Sequence, residues 1–200
     1  MTTIVPLPFR ALRVRPASLL RALLLILVVG ACSDPFKLTA SRPNVSTTLE
    51  AWAISGTAPT LPSVLIIPGY TMTRPDAAGS FDLAFDVDAN GKLVVLPVGS
   101  VVHALAGTRN IAFLRPTESF EAILEAPTKG WTNDSLLTLN VGDVFMVRIA
   151  TLFCQFELRQ QIYSKYRVDS IIAPERRAIL SAVIDPNCGF RSFQTGIPEF

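Results

Sequence analysis

The stretch FDLAFDVDANGKLVVLPV, residues 81–98, decides the fold class. Phe81, Leu83, Phe85 and Val87 alternate with Asp82, Ala84, Asp86 and Asp88. Successive side chains of a strand point to opposite faces, so this segment reads as a strand with one apolar face and one acidic, solvated face. Asn90-Gly91 then supplies the positive-φ turn of a tight hairpin, and Lys92 to Val98 reads as the returning strand.

Working outward, short runs rich in Val, Ile, Leu and Phe recur at strand-like spacing. They are VSTTLEAWAIS (45–55), SVLIIP (63–68), SVVHALA (100–106), NIAFL (110–114), SLLTLN (135–140), DVFMVRIATLF (143–153), QIYSKYRVDSII (161–172) and RAILSAVID (177–185). Turn residues separate them, and fifteen prolines against eleven glycines suit a chain of many short elements. One helix is expected, with Thr117 capping ESFEAILEA (118–126) and Phe120, Ile123 and Leu124 sharing a face before Pro127 ends it. Eight to ten strands joined by short turns indicate an all-β domain over residues 45–200. The expected architecture is an antiparallel β-sandwich or partly closed barrel with at most one short helix.

The N-terminus is of a different kind. The formal net charge of +2 comes from Arg10, Arg13, Arg15 and Arg21, which precede Cys32 with no acid among them. Setting residues 1–31 aside leaves 14 basic against 16 acidic side chains. The rest of the chain has no basic stripe of the sort that neutralises phosphates, and nucleic acid is not an expected partner. Residues 1–31 show a basic lead, an apolar stretch from Ala22 to Val29 and small residues Gly30 and Ala31, the layout of a signal peptide. That apolar core falls well short of the roughly 20 residues that span a bilayer.

The sequence VVGAC, ending at Cys32, resembles the lipobox of bacterial lipoproteins, with Val29 in place of the commoner Leu. The resemblance implies cleavage between Ala31 and Cys32, and a diacylglycerol thioether plus a palmitate-type acyl chain on Cys32. Ser33, rather than Asp, follows the cysteine, which in such lipoproteins favours the outer membrane over the inner. Residues 32–44 then read as lipidated cysteine and tether. Beyond the targeting segment, the likeness to uncharacterised envelope lipoproteins is general and transfers no active site. Two other readings stand beside it: ordinary signal cleavage leaving a thiol at Cys32, or an uncleaved anchor.

Three cysteines is an odd count, and lipidation of Cys32 explains it by leaving Cys154 and Cys188 as a pair. An oxidising envelope compartment permits that bridge. The alternative is two buried thiols.

Constellations that carry chemistry are sparse. Asp86, Asp88 and Asn90 match the first half of a calcium loop, but its twelfth position, where a bidentate Glu closes such a loop, is Pro97. A hairpin with acids on its wet face explains the same residues. His103 is the single histidine and lacks a G-x-S-x-G nearby. Neither a Walker loop nor a dinucleotide fingerprint is present, so no cofactor is expected. Tyr70 and Trp131 are loop aromatics that suit either glycan or partner binding, or the covering of an open core end. Asn44-Val-Ser and Asn133-Asp-Ser match glycosylation sequons, which a bacterial lipoprotein does not normally use. The expected function is a non-catalytic binding or structural role in the cell envelope, with an envelope protein or glycan as partner. A carboxylate-based glycan hydrolase, or a carrier with an apolar cavity between its sheets, are the alternatives.

Overall fold

The structure, a computed structural model, describes residues 40–103, 110–133, 135–154 and 160–198. Two antiparallel sheets face one another in a β-sandwich. The strands are β1 (Val45–Trp52), β2 (Val64–Ile66), β3 (Thr71–Thr73), β4 (Leu83–Val87), β5 (Leu93–Pro97), β6 (Ile111–Leu114), β7 (Thr132–Asn133), β8 (Leu137–Leu139), β9 (Val144–Ala150), β10 (Gln161–Ile172) and β11 (Arg177–Asp185). One sheet runs β1-β11-β10-β9-β6-β7 and the other β3-β2-β4-β5-β8. Each sheet therefore combines strands from the earlier and the later part of the chain.

The hairpin at residues 81–98 is present as expected. Phe85 pairs with Val95 and Val87 with Leu93, and Gly91 takes φ +73° in the turn. Asp88 fixes that turn by accepting the N–H groups of Asn90 (2.9 Å) and Lys92 (2.8 Å) through Oδ1. The acidic face is not wholly solvated, however. Asp82 is 0% exposed, and its Oδ2 accepts the N–H of Ile67 at 2.7 Å, holding the 3-10 turn Ile67–Gly69. A buried carboxylate needs such a donor, since without one its desolvation would cost several kcal/mol.

Alternation sets the core. Leu49 and Ala51 of β1, Phe145, Val147 and Ile149 of β9, Ile162, Tyr166 and Val168 of β10, and Leu180, Ala182 and Ile184 of β11 point inward. Leu65, Leu83, Phe85, Leu93, Val95 and Leu139 meet them from the other sheet. Tyr166 stacks on Phe145 with ring centroids 4.8 Å apart.

Two expected elements are replaced. Residues 118–126 form no helix: a single turn closes where Ala122 N–H meets Ser119 C=O at 3.1 Å, and Glu125 then bridges Ser192. Thr117 caps nothing; its N–H and hydroxyl lie against Glu118 Oε2. The apolar spacing at Phe120 and Ile123 serves instead to press this segment onto the outer face of the six-stranded sheet. The expected strand at 100–106 begins as a one-turn helix, α1 (Val98–Val101), launched from Pro97, whose extended backbone occupies the N-cap. Its remaining residues from Ala104 onward lie outside the described residues.

Candidate functional site

The outward residues of β10 and β11 are not left to water. Tyr163, Lys165 and Val183, with Met146 of β9, are buried under a second apolar cluster formed with Ile123, Ala126 and Phe193. Two segments build this outer layer by pairing with one another. Ala126 N–H bonds Arg191 C=O at 2.7 Å, and Phe193 N–H bonds Leu124 C=O at 2.8 Å.

Charge fixes the layer in place. Lys165 is only 4% exposed, and its ammonium donates to the carbonyl oxygens of Phe120 (2.6 Å) and Ile123 (2.8 Å) between the rings of Phe120 and Phe193. Burial lowers its pKa, partly offset by the Glu121 carboxylate. Arg167 pairs with Glu121 from the same segment and with Asp169 at 2.7 Å. Asp169 is the extra residue of a β-bulge in β10 and also accepts the Ser181 hydroxyl at 2.6 Å. Burial pushes its carboxyl up, but the Ser181 and Arg167 hydrogen bonds outweigh that and hold it below its ordinary range. Arg191 pairs with Glu125 and reaches Ala126 C=O at 3.1 Å.

Between the outer layer and the sheet lies a cleft of about 190 Å³, lined mainly by Leu114, Pro116, Ile123, Leu124 and Met146, with Glu118 and Glu125 as its charged lining. Pockets that enclose small molecules are usually about 300–1,000 Å³. Glu125 is paired with the Arg191 guanidinium.

A second polar constellation gathers where the chain enters β1. Asp185 is 0% exposed, and its Oδ1 accepts both the backbone and side-chain N–H groups of Asn187 at 2.9 Å. Its Oδ2 has no hydrogen-bond partner among the described residues. Burial pushes this carboxyl up to about 6 despite the Asn187 hydrogen bonds. Asn187 in turn holds the incoming chain: Oδ1 accepts Ser41 N–H (3.0 Å) and Arg42 N–H (3.1 Å), and Nδ2 donates to Arg42 C=O (2.9 Å). Asn44 continues the attachment, donating through Nδ2 to the carbonyls of Ser192 (2.7 Å) and Gln194 (2.8 Å). The last residues of the expected tether are therefore hydrogen-bonded to the domain.

The residues singled out from sequence go to separate places. Cys154 and Cys188 are bonded, with Cα atoms 5.7 Å apart. Asp86 and Asp88 are turned to different partners: Arg176 binds Asp86 at 2.9 Å while Ser55 donates to its other oxygen, and Asp88 serves the turn. The Lys92 and Asn90 N–H groups hold Asp88 below its ordinary pKa. Among the described residues no cluster of three His, Cys, Asp or Glu side chains is placed to hold a metal ion. Tyr70 packs against the main core at the end of its 3-10 turn, with φ +52°. Trp131 donates to Pro127 C=O at 2.8 Å and sits 5.8 Å from Tyr163, closing the outer layer. His103 is exposed just past α1. Cys32 and Ala31 lie outside the described residues. Sequence reasoning missed Lys165, Asp185 and Asn187. A lysine in the strand sequence Y-S-K-Y, and D-P-N before a cysteine, are the only traces they leave.

Among known proteins, no family model, no curated protein and no solved structure matches this chain.

Proposed function

We propose that the chain is a bacterial cell-envelope lipoprotein, anchored through acylated Cys32 and favouring the outer membrane, whose β-sandwich has a non-catalytic binding or structural role. The observation that carries this reading is the cysteine arrangement. With Cys154 bonded to Cys188, the remaining cysteine is the one that ends VVGAC. The bridge also suits an oxidising envelope compartment. Two or three acyl chains on Cys32 would hold the protein stably where one would not.

The non-catalytic part is supported by how the acids are used. Asp185 has a carboxyl raised towards neutrality, but it is sealed from solvent. Of the two glutamates in the outer-layer cleft, Glu125 is tied into an ion pair with Arg191, and the cleft itself, at about 190 Å³, is smaller than the pockets that usually enclose small molecules.

Mass spectrometry of the mature N-terminus tests the anchor. An acylated Cys32 is the expected result, with Cys32→Ala releasing the protein from membranes. An unmodified mature cysteine overturns the reading. Co-purification of an envelope protein or glycan with the anchored form would identify the partner.

A further inference from the structure

Resting on the lipid anchor just proposed, the geometry points to a membrane-facing end of the sandwich. We infer that the end carrying Arg42, Phe153 and Ile197 lies against the lipid surface that holds Cys32.

Chain length brings that end close. Eight peptide steps separate Cys32 from Ala40, a reach of at most about 29 Å when fully extended. Because Asn187 and Asn44 bind residues 41–44 to the domain, slack in the tether stops at Ala40 instead of running on to Val45. The domain is thus joined to its anchor at one fixed point. That point is where β1 begins and β11 ends. β1 has eight residues and runs about 25 Å, so the opposite end stands a strand's length further away.

The chemistry at the near end suits an interface. Phe153 is 52% exposed and Ile197 56%, two of the few large apolar side chains that face solvent. The Arg42 guanidinium lies 4.8 Å from the Phe153 ring centroid. Gly196, next to Ile197, accepts Asn44 N–H at 2.9 Å, so all three side chains border the same attachment. An arginine stacked on an aromatic ring pairs phosphate-binding with an apolar body, the combination that settles at headgroup level. The far end also exposes an apolar side chain, Val141 (56%) between β8 and β9, but the Asp88–Gly91 turn there meets Ala173, and Arg176 is committed to Asp86 and to the carbonyls of Val87 and Ser55.

The native cysteines make the test direct, because an introduced cysteine would be the sole reactive thiol in a mature, acylated and bridged chain. Ile197→Cys and Ala89→Cys proteins, matured in bacteria, are labelled with a fluorophore. They are then placed in vesicles of phosphatidylethanolamine and phosphatidylglycerol that contain a headgroup-spin-labelled lipid. The label at 197 is expected to lose most of its fluorescence and the label at 89 to keep it. Ser41→Cys serves in place of Ile197→Cys if that variant does not fold. Flotation of the vesicles reads the anchor separately. Labelled protein left behind on flotation overturns the anchor, and the inference with it. Protein that floats yet shows equal quenching at both positions overturns the orientation alone.

Discussion

Lys165 donates its ammonium to the carbonyl oxygen of Phe120 at 2.6 Å and lies 4.4 Å from the centroid of the same residue's ring. One residue of the sheet thus holds both the backbone and the side chain of the segment above it. Replacing Lys165 by Met keeps the apolar stem and removes the donor, leaving the Phe120 and Ile123 carbonyls to find water. A loss of about 1–3 kcal/mol is expected in denaturant unfolding, with faster amide exchange confined to residues 119–126. Wild-type exchange in that segment would show that the ammonium does not hold it.

Asp185 gives a pH dependence of unusual sign. Its folded pKa, about 6, lies above the unfolded value of 3.8, so the folded state binds the proton more tightly. Stability should therefore rise as pH falls from 7.5 through 6, with the gain complete below the unfolded pKa. The full effect of a shift of this size is of order 2–3 kcal/mol. Asp88, Glu121 and Asp169 are held low and act in the opposite sense further down, so the measurement belongs between pH 7.5 and 5. Asp185→Asn should flatten the profile and raise the urea midpoint at pH 7.5. A midpoint that falls steadily on acidification would contradict this.

The bridge between Cys154 and Cys188 closes a separation of 34 residues. In the chain-entropy model its removal costs about 3–4 kcal/mol. Cys154→Ala with Cys188→Ala should lower the urea midpoint to match, and reductant should then have no further effect. An unchanged midpoint would mean that the bridge adds nothing to the folded state's advantage.

Asn187→Ala removes the acceptor for Ser41 and Arg42 and the donor to Arg42 C=O. Limited proteolysis should then cut around residues 40–44 while leaving the sandwich intact. The cost in global stability should be about 1–2 kcal/mol, because water can reach these exposed backbone groups. Equal resistance in the variant would show that Asn44 suffices.

Much of the sandwich was legible because its strands carry their own signal. QIYSKYRVDSII and RAILSAVID were bounded to the residue as β10 and β11, and Asn90-Gly91 marked its hairpin. Two of the failures share one cause. Phe120, Ile123 and Leu124 have helical spacing, yet what decides their conformation is the outer face of β10 and the pairing of Leu124 with Phe193, nearly seventy residues on. Asp82 looked solvated because alternation reports which face a residue takes but not whether another segment covers that face. β3 and β7, at three and two residues, are too short to show any period. The site residues were harder still. The donors to Asp185 and the acceptors of Lys165 are backbone groups or an asparagine, which leave no pattern in a sequence.

β1 pairs along its whole length with β11, from Val45 opposite Ile184 to Trp52 opposite Arg177. The first strand to be made therefore waits for the last. Until β11 has emerged, β1 is an unpaired ribbon, and β10 lacks one of its two neighbours. Topologies dominated by such distant pairings close in milliseconds to seconds, after the loop entropy has been overcome. The five-stranded sheet, built from β2, β3, β4, β5 and β8 alone, has all its strands before β9 is made, whereas β1 has its one neighbour in β11 and takes its place only when the last strand arrives.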